Sequence, residues 1–225
     1  MPVGVPKVPF GLSDQEEDHW VDIYNRLYRE RVLFFCQELE EELANQLIGI
    51  LLFINKEDEE AEEEAKEEDL PLEFKDAFMY INSPGGSAVC GIGLHDAMNY
   101  IRASVNTIGA GVAASMAALV LANGEYGTRL ALPHARVMLR QPKAGLDGQS
   151  LDLEAEFKEV RRIKEEVAIL FSEATDQPLN KVYTDLHRDT FLAPIAAQFY
   201  GIIDKIAITL DGYYYHYTVE NLYDE

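Results

Sequence analysis

Ala77-Phe-Met-Tyr-Ile81 runs without a break into Asn82-Ser-Pro-Gly-Gly86, and further on Thr107-Ile-Gly-Ala110 leads into Gly111-Val-Ala-Ala-Ser115-Met-Ala117. Each is a short apolar run rich in β-branched or aromatic residues that ends in glycine, which reads as a strand closing in a turn. A helix is expected after each, over about 89–103 and again from Ser115, where alanine and methionine dominate. Working outward, further strands are expected at Arg31-Val-Leu-Phe-Phe35, Arg129-Leu-Ala-Leu132, Arg136-Val-Met-Leu139 and Gly201 to Leu210. Leu39, Leu43, Leu47 and Leu51 recur every four residues, as in a helix. After the loop 141–150, Leu153, Phe157, Val160, Val167 and Leu170 form one apolar stripe of a long amphipathic helix. Strands alternating with helices predict an α/β domain with a largely parallel sheet.

The chain has 225 residues, which suits a single domain with appendages. Its net charge of −21 argues against nucleic-acid phosphates and anionic membrane surfaces as partners. The acid is concentrated. Residues 56–76 hold twelve acidic and three basic side chains, −9 in one stretch, and this insertion is expected to stay solvated or to form a frayed helix. Cys36 and Cys90, 54 positions apart, make neither a disulfide framework nor a metal-ligand spacing, so a reducing compartment and no metal are expected. The opening residues lack an apolar core of signal-peptide length and are not Arg/Ser-rich as a transit peptide is. The longest apolar run, Leu47 to Ile54, is too short to span a bilayer. The expectation is a soluble protein that works where it is made.

Two elements carry chemistry. The glycines of Ser83-Pro-Gly85-Gly86 allow positive φ and close approach of a ligand to the main chain, so their N–H groups could hold an oxyanion or a peptide strand; an ordinary Pro-Gly turn is the simpler alternative. Ser115 sits between small residues where a strand passes into a helix, either as a helix cap or as an exposed nucleophile beside a free N–H. Dinucleotide and P-loop patterns are absent: Gly91-Ile-Gly93 has no third glycine, and no Lys-Ser/Thr follows Gly91.

Together these elements join a larger pattern. Tyr80-Ile-Asn-Ser-Pro-Gly-Gly86, Ala113-Ala-Ser-Met116, Pro133-His-Ala-Arg-Val-Met138 with Gln141-Pro142, Arg188-Asp189-x-Phe191-Leu-Ala, and Tyr200-Gly-Ile-Ile-Asp204 resemble, in order and spacing, ClpP, the Clp protease proteolytic subunit family. The likeness covers about residues 17–208 apart from the acidic insertion, and the first thirty residues look like the plastid-encoded branch. The resemblance implies a ClpP/crotonase-like fold of repeated strand-helix units with a long protruding handle helix. It implies an N-terminal axial-loop segment over 1–30, the protease domain over 31–210, and a polar C-terminal extension over 211–225 with five tyrosines. It also implies two stacked heptameric rings of ClpP-type subunits, an AAA+ Clp ATPase that spends the ATP and feeds in unfolded proteins, no cofactor in this chain, and the plastid stroma as its location. A crotonase acting on CoA thioesters would share the fold, but Ala-Ala-Ser-Met and Arg-Asp-x-Phe-Leu favour the protease branch.

Carried over residue by residue, the nucleophile is Ser115, the oxyanion donors are the N–H groups of Gly86 and Met116, and the orienting acid is Asp189. Phe78, Tyr80 and Tyr100 fall where the family docks its ATPase, with core packing as the alternative. The general base should be a histidine two residues after Met138, but Arg140 stands there. Arginine has no acceptor lone pair and cannot take the serine proton. In subtilisin, losing the base costs on the order of 10⁶ in turnover. A guanidinium in that place should pair with Asp189 by both prongs. Two readings stay open: a serine endopeptidase subunit that is active through an unusual base, or a non-catalytic structural subunit of a mixed ring.

Overall fold

A computed structural model describes residues 4–10, 19–68, 74–143, 145 and 150–207. Two short strands, β1 (Lys7–Phe10) and β2 (His19–Asp22), pair antiparallel before helix α1 (Ile23–Arg29). Then come β3 (Val32–Phe35), α2 (Glu41–Glu68), β4 (Ala77–Ser83), α3 (Ala88–Tyr100), β5 (Val105–Ala114), α4 (Met116–Ala122), β6 (Leu130–Ala131) and β7 (Arg136–Leu139). The chain closes with α5 (Ser150–Thr175), α6 (Leu179–Leu186), β8 (Thr190–Leu192), α7 (Pro194–Tyr200) and β9 (Lys205–Ile206). The expected α/β alternation is present.

The main sheet runs β3-β4-β5-β6-β9 with every pair parallel. The ten-residue β5 serves two partners: Ile108 and Gly109 pair with β6, while Val112 to Ala114 pair with β7. Strand β7 in turn takes β8 antiparallel on its far edge. Along β4 the inner positions Ala77, Met79 and Ile81 are fully buried, whereas Phe78 and Tyr80 alternate to the outer face. All seven residues of α4 are buried, because Ala, Leu, Val and Met on every side of a helix leave no solvent face.

The acidic segment departs from expectation. It is neither an insertion loop nor a frayed end, for α2 continues through it as one helix to Glu68. Ala44, Leu47, Leu51, Ile54, Asn55 and Asp58 are buried along one stripe of α2 at helical spacing, so Asp58 stands where an apolar residue would otherwise face the body. Its carboxylate takes both prongs of Arg31, Nη1 at 3.1 Å and Nη2 at 2.6 Å. One turn on, Glu62 receives Nη1 of Arg102, whose backbone N–H donates to Asn55. The tract packs by pairing its inner acids with two arginines, while Glu57, Glu59, Glu60, Glu63 and Glu64 are exposed.

Two further expectations are corrected. Gly201 to Leu210 is not one strand: Gly201 caps α7 with φ 93, and only Lys205–Ile206 pairs, with 208–210 outside the described residues. The stripe of α5 divides. Val167, Ala168 and Phe171 are buried, Leu153 and Val160 are half-buried, and Phe157 is 60% exposed. The 211–225 extension lies outside the described residues. Among the described residues no helix is long and apolar enough to cross a membrane.

Candidate active site

Strand β4 ends in a turn pinned from three sides. The Ser83 hydroxyl donates to the Gln37 carbonyl at 2.5 Å and accepts the Gly85 N–H at 3.1 Å. Leu39 donates to the Gly85 carbonyl and accepts from Ser87 N–H, a one-residue parallel bridge. Asn82 Oδ1 accepts the Val112 N–H at 3.0 Å and lies against Gly111, where a Cβ would stand 2.4 Å from it. Gly85 has φ +87, and a Cβ there would meet Ala114 O at 2.5 Å and Ser115 Cβ at 3.0 Å. Only glycine lets this turn lie so close to Ser115. The bound pair Leu39–Gly85 and the bridge to Ser87 leave the Gly86 N–H with no hydrogen-bond acceptor among the described residues.

Ser115 stands at φ 54, ψ −119, a conformation L-residues rarely adopt, between the end of β5 and the first residue of α4. Its N–H donates to Met138 O at 2.8 Å, which anchors this sharp bend to β7. The hydroxyl makes no capping bond. A serine that served only as a cap would spend its oxygen on the N2 or N3 amide; this one is turned outward on a strained bend instead.

Arg140 follows β7, and Asp189 precedes β8. The antiparallel register sets Leu139 opposite Thr190, so one step further Arg140 stands opposite Asp189. Arg140 Nε approaches Asp189 Oδ1 to 3.0 Å. The contact runs through Nε and not through two prongs, which corrects the expected geometry; neither Nη is hydrogen-bonded to Asp189. The Asp189 turn is braced by Thr190 Oγ1 donating to Asp185 O at 2.9 Å and by the Tyr200 hydroxyl donating to Asp185 Oδ2 at 3.0 Å. Burial, then the Asp185 hydrogen bond and charge, push that phenol above its ordinary value, so it remains a donor at any physiological pH.

Ser115, Gly85, Gly86, Met138, Arg140 and Lys143 line one open cleft of about 650 Å³, with Leu39, Val160 and Ile163 as apolar wall. Glu38, Glu40 and Glu41 border it on the segment entering α2. The turn, the serine and the arginine are therefore brought together. Met116 lies directly behind Ser115, its side chain against Gly91. No histidine with a described side chain lines the cleft: His95 is buried on α3 beside Asp96, His134 is exposed ahead of β7, and His187 caps α6, its ring at 3.2 Å from Tyr183 O. Among the described residues no group of His, Cys, Asp and Glu is arranged to hold a metal.

The three aromatic positions are at the surface. Phe78 is 39% and Tyr100 71% exposed, and Tyr80 is half-buried. Tyr80 stacks on Phe34 at 5.8 Å, and Phe34 meets Tyr24 edge-on at 5.7 Å. Phe34 and Tyr24 were not singled out from sequence; the signal is the β3–β4 register, Phe34 opposite Tyr80, which is not written locally.

Comparison with known proteins converges on one group. The Clp protease family model matches residues 14–209. The ATP-dependent Clp protease proteolytic subunit of Oltmannsiellopsis viridis is 52% identical over 207 residues, covering 92% of this chain and 99% of that one. The protein of the same name from Chlorella vulgaris is 50% identical over 208 residues, covering 92% and 96%. That of Adiantum capillus-veneris is 44% identical over 209 residues, covering 92% and 98%.

Proposed function

The chain belongs to the Clp protease family, and from that premise we propose that it is a subunit of the proteolytic core of an ATP-dependent Clp protease, non-catalytic in itself. The complex is a serine endopeptidase; this chain supplies wall, docking surface and a cleft without a base. The observation that carries the reading is that Arg140, which lines the cleft of Ser115, is paired with Asp189. A triad needs an acceptor between the hydroxyl and the acid, and a guanidinium has none. Glu38, Glu40 and Glu41 border the cleft, but they are exposed and held by no side-chain hydrogen bond that would orient them as a base.

The rest of the site suits the family's chemistry. Ser115 in its strained bend takes the nucleophile's place, and Gly86 and Met116 N–H take the oxyanion donors'. In this chain those groups bind a peptide strand without cutting it. Assembly into stacked rings is supported by apolar side chains that one chain leaves uncovered: Val112, Leu132, Phe157, Phe191 and Phe199 are all 42–66% exposed. Phe78, Tyr80 and Tyr100 form the docking surface for the AAA+ ATPase, supported by the exposure of Phe78 and Tyr100 and by the outer face of β4 that Phe78 and Tyr80 share. The plastid stroma is the setting, which agrees with relatives from green algae and land plants.

The test is a core containing this chain unmodified and every other subunit's serine changed to alanine. Absence of peptide cleavage, and absence of labelling of Ser115 by a fluorophosphonate, is the expected result. Cleavage that disappears with Ser115→Ala would overturn the non-catalytic reading.

A further inference from the structure

We infer that the Ser115 cleft of this chain is a carboxylate site that holds peptides by their C-terminal carboxylate, the group each cut by a neighbouring subunit creates. The inference rests on the non-catalytic reading above and names the ligand of the site.

The donors in the cleft are of one kind. Arg140 is only 30% exposed and comes within 3.0 Å of Asp189 at Nε, and neither Nη has a hydrogen-bond partner among the described residues. Lys143 lines the same cleft three residues on, exposed. The Ser115 hydroxyl makes no capping bond, and the Gly86 N–H has no acceptor. Two cations, a hydroxyl and a main-chain N–H thus converge on a cleft whose remaining wall, Leu39, Val160 and Ile163, is apolar. A histidine here would be a neutral acceptor suited to a serine hydroxyl. A guanidinium whose outer edge is open instead matches the two oxygens of a carboxylate, and Arg can bridge two carboxylates through different edges.

The acids nearby narrow the ligand. Asp189 neutralises part of the Arg140 charge, and Glu38, Glu40 and Glu41 border the cleft on another segment. A multiply charged anion such as phosphate is repelled by these carboxylates. A monoanion carried on a neutral or basic chain is not. The cleft's apolar wall and parallel main-chain edge at Leu39–Gly86 suit the extended chain behind such a carboxylate.

The experiment uses the assembled core in which all other subunits carry serine-to-alanine changes. Three fluorescent decapeptides serve as probes: one with a free C-terminal acid, its carboxamide, and that carboxamide with one internal residue replaced by Glu. Fluorescence anisotropy should show the free acid binding about tenfold or more tightly than either amide. Arg140→Gln should abolish that difference, and Arg140→Lys should retain part of it. Equal binding of acid and amide by the unmodified core overturns the inference, as does a difference that survives Arg140→Gln. An internal Glu that binds as well as the terminal acid overturns the assignment to chain ends. Ser115-dependent hydrolysis of the amide would instead overturn the non-catalytic reading, so the two failures are distinct.

Discussion

Arg140 and Asp189 face each other because β7 and β8 pair antiparallel with Leu139 opposite Thr190, and the next step of the ladder brings guanidinium and carboxylate to 3.0 Å. The acid that would orient a histidine is thus held by a cation, while Ser115 keeps its bend and its outward hydroxyl. The bend at Ser115 forms with arginine at position 140. That is the relationship on which the first prediction rests.

Arg140→His should restore an acceptor between Ser115 and Asp189. Peptide hydrolysis in a core whose other serines are alanine should rise from background by about 10² to 10⁴, the usual contribution of a positioned general base. The gain should vanish with either Ser115→Ala or Asp189→Asn. An unchanged rate in an assembled core would show that more than the base is missing.

Arg31→Ala should destabilise the chain by about 3 kcal/mol, because Asp58, 3% exposed, would be left as a buried unpaired charge. Deleting 57–69 removes the other partner and leaves the Arg31 guanidinium with the Lys75 carbonyl, so a lowered melting temperature is expected there too. Thermal unfolding of the assembled core checks both, and a melting temperature unmoved by Arg31→Ala would refute the pairing.

Phe78→Ala and Tyr80→Ala should each weaken ATPase binding by about 2 kcal/mol, roughly thirtyfold, in a ring that still assembles. Tyr80 should cost more than its exposure suggests, since its ring also carries the stack to Phe34. Titration of the partner ATPase against assembled core measures this, and unaltered affinity would remove these residues from the docking surface.

Gly85→Ala should impair the cleft and the stability together. The new methyl would lie 2.5 Å from Ala114 O at φ +87, a combination of clash and strain worth about 1–3 kcal/mol. Reduced peptide binding with a lowered melting temperature is expected; binding at the parent affinity would show that the turn does not constrain the site.

Asp204 supplies an acid-sensitive lock. Burial pushes its carboxyl upward, but the hydrogen bonds and charge of Arg129, with the N–H groups of Arg129 and Gly127, outweigh burial and hold it below the usual carboxylate range. Its stabilisation is therefore complete above the unfolded value of about 3.9 and is lost as pH falls through the lower folded value. Asp204→Asn should cost about 3 kcal/mol at pH 7 and flatten the stability profile below about pH 4. A parallel downward shift at every pH would argue against the linkage.

The strand-turn-helix units around Gly85 and Ser115 were legible in the sequence because turn chemistry is local: glycines, a proline and small residues dictate the bend wherever they occur. That arginine stands at the place where the resemblance puts a histidine is readable for the same reason, since position 140 has a fixed offset from Met138 and Gln141-Pro142. Three things were not. Asp58 reads as one more solvated acid until Arg31, 27 residues away, is folded against it. The aromatic run Tyr24–Phe34–Tyr80 exists only through the β3–β4 register and the packing of α1 on β3. The meeting of Arg140 with Asp189 by Nε, with an open guanidinium edge, depends on how β8 returns along β7. Sequence determines such local bends and which groups a site can hold; long-range pairing decides which of those groups touch, because its closure entropy is repaid only by contacts no single segment contains.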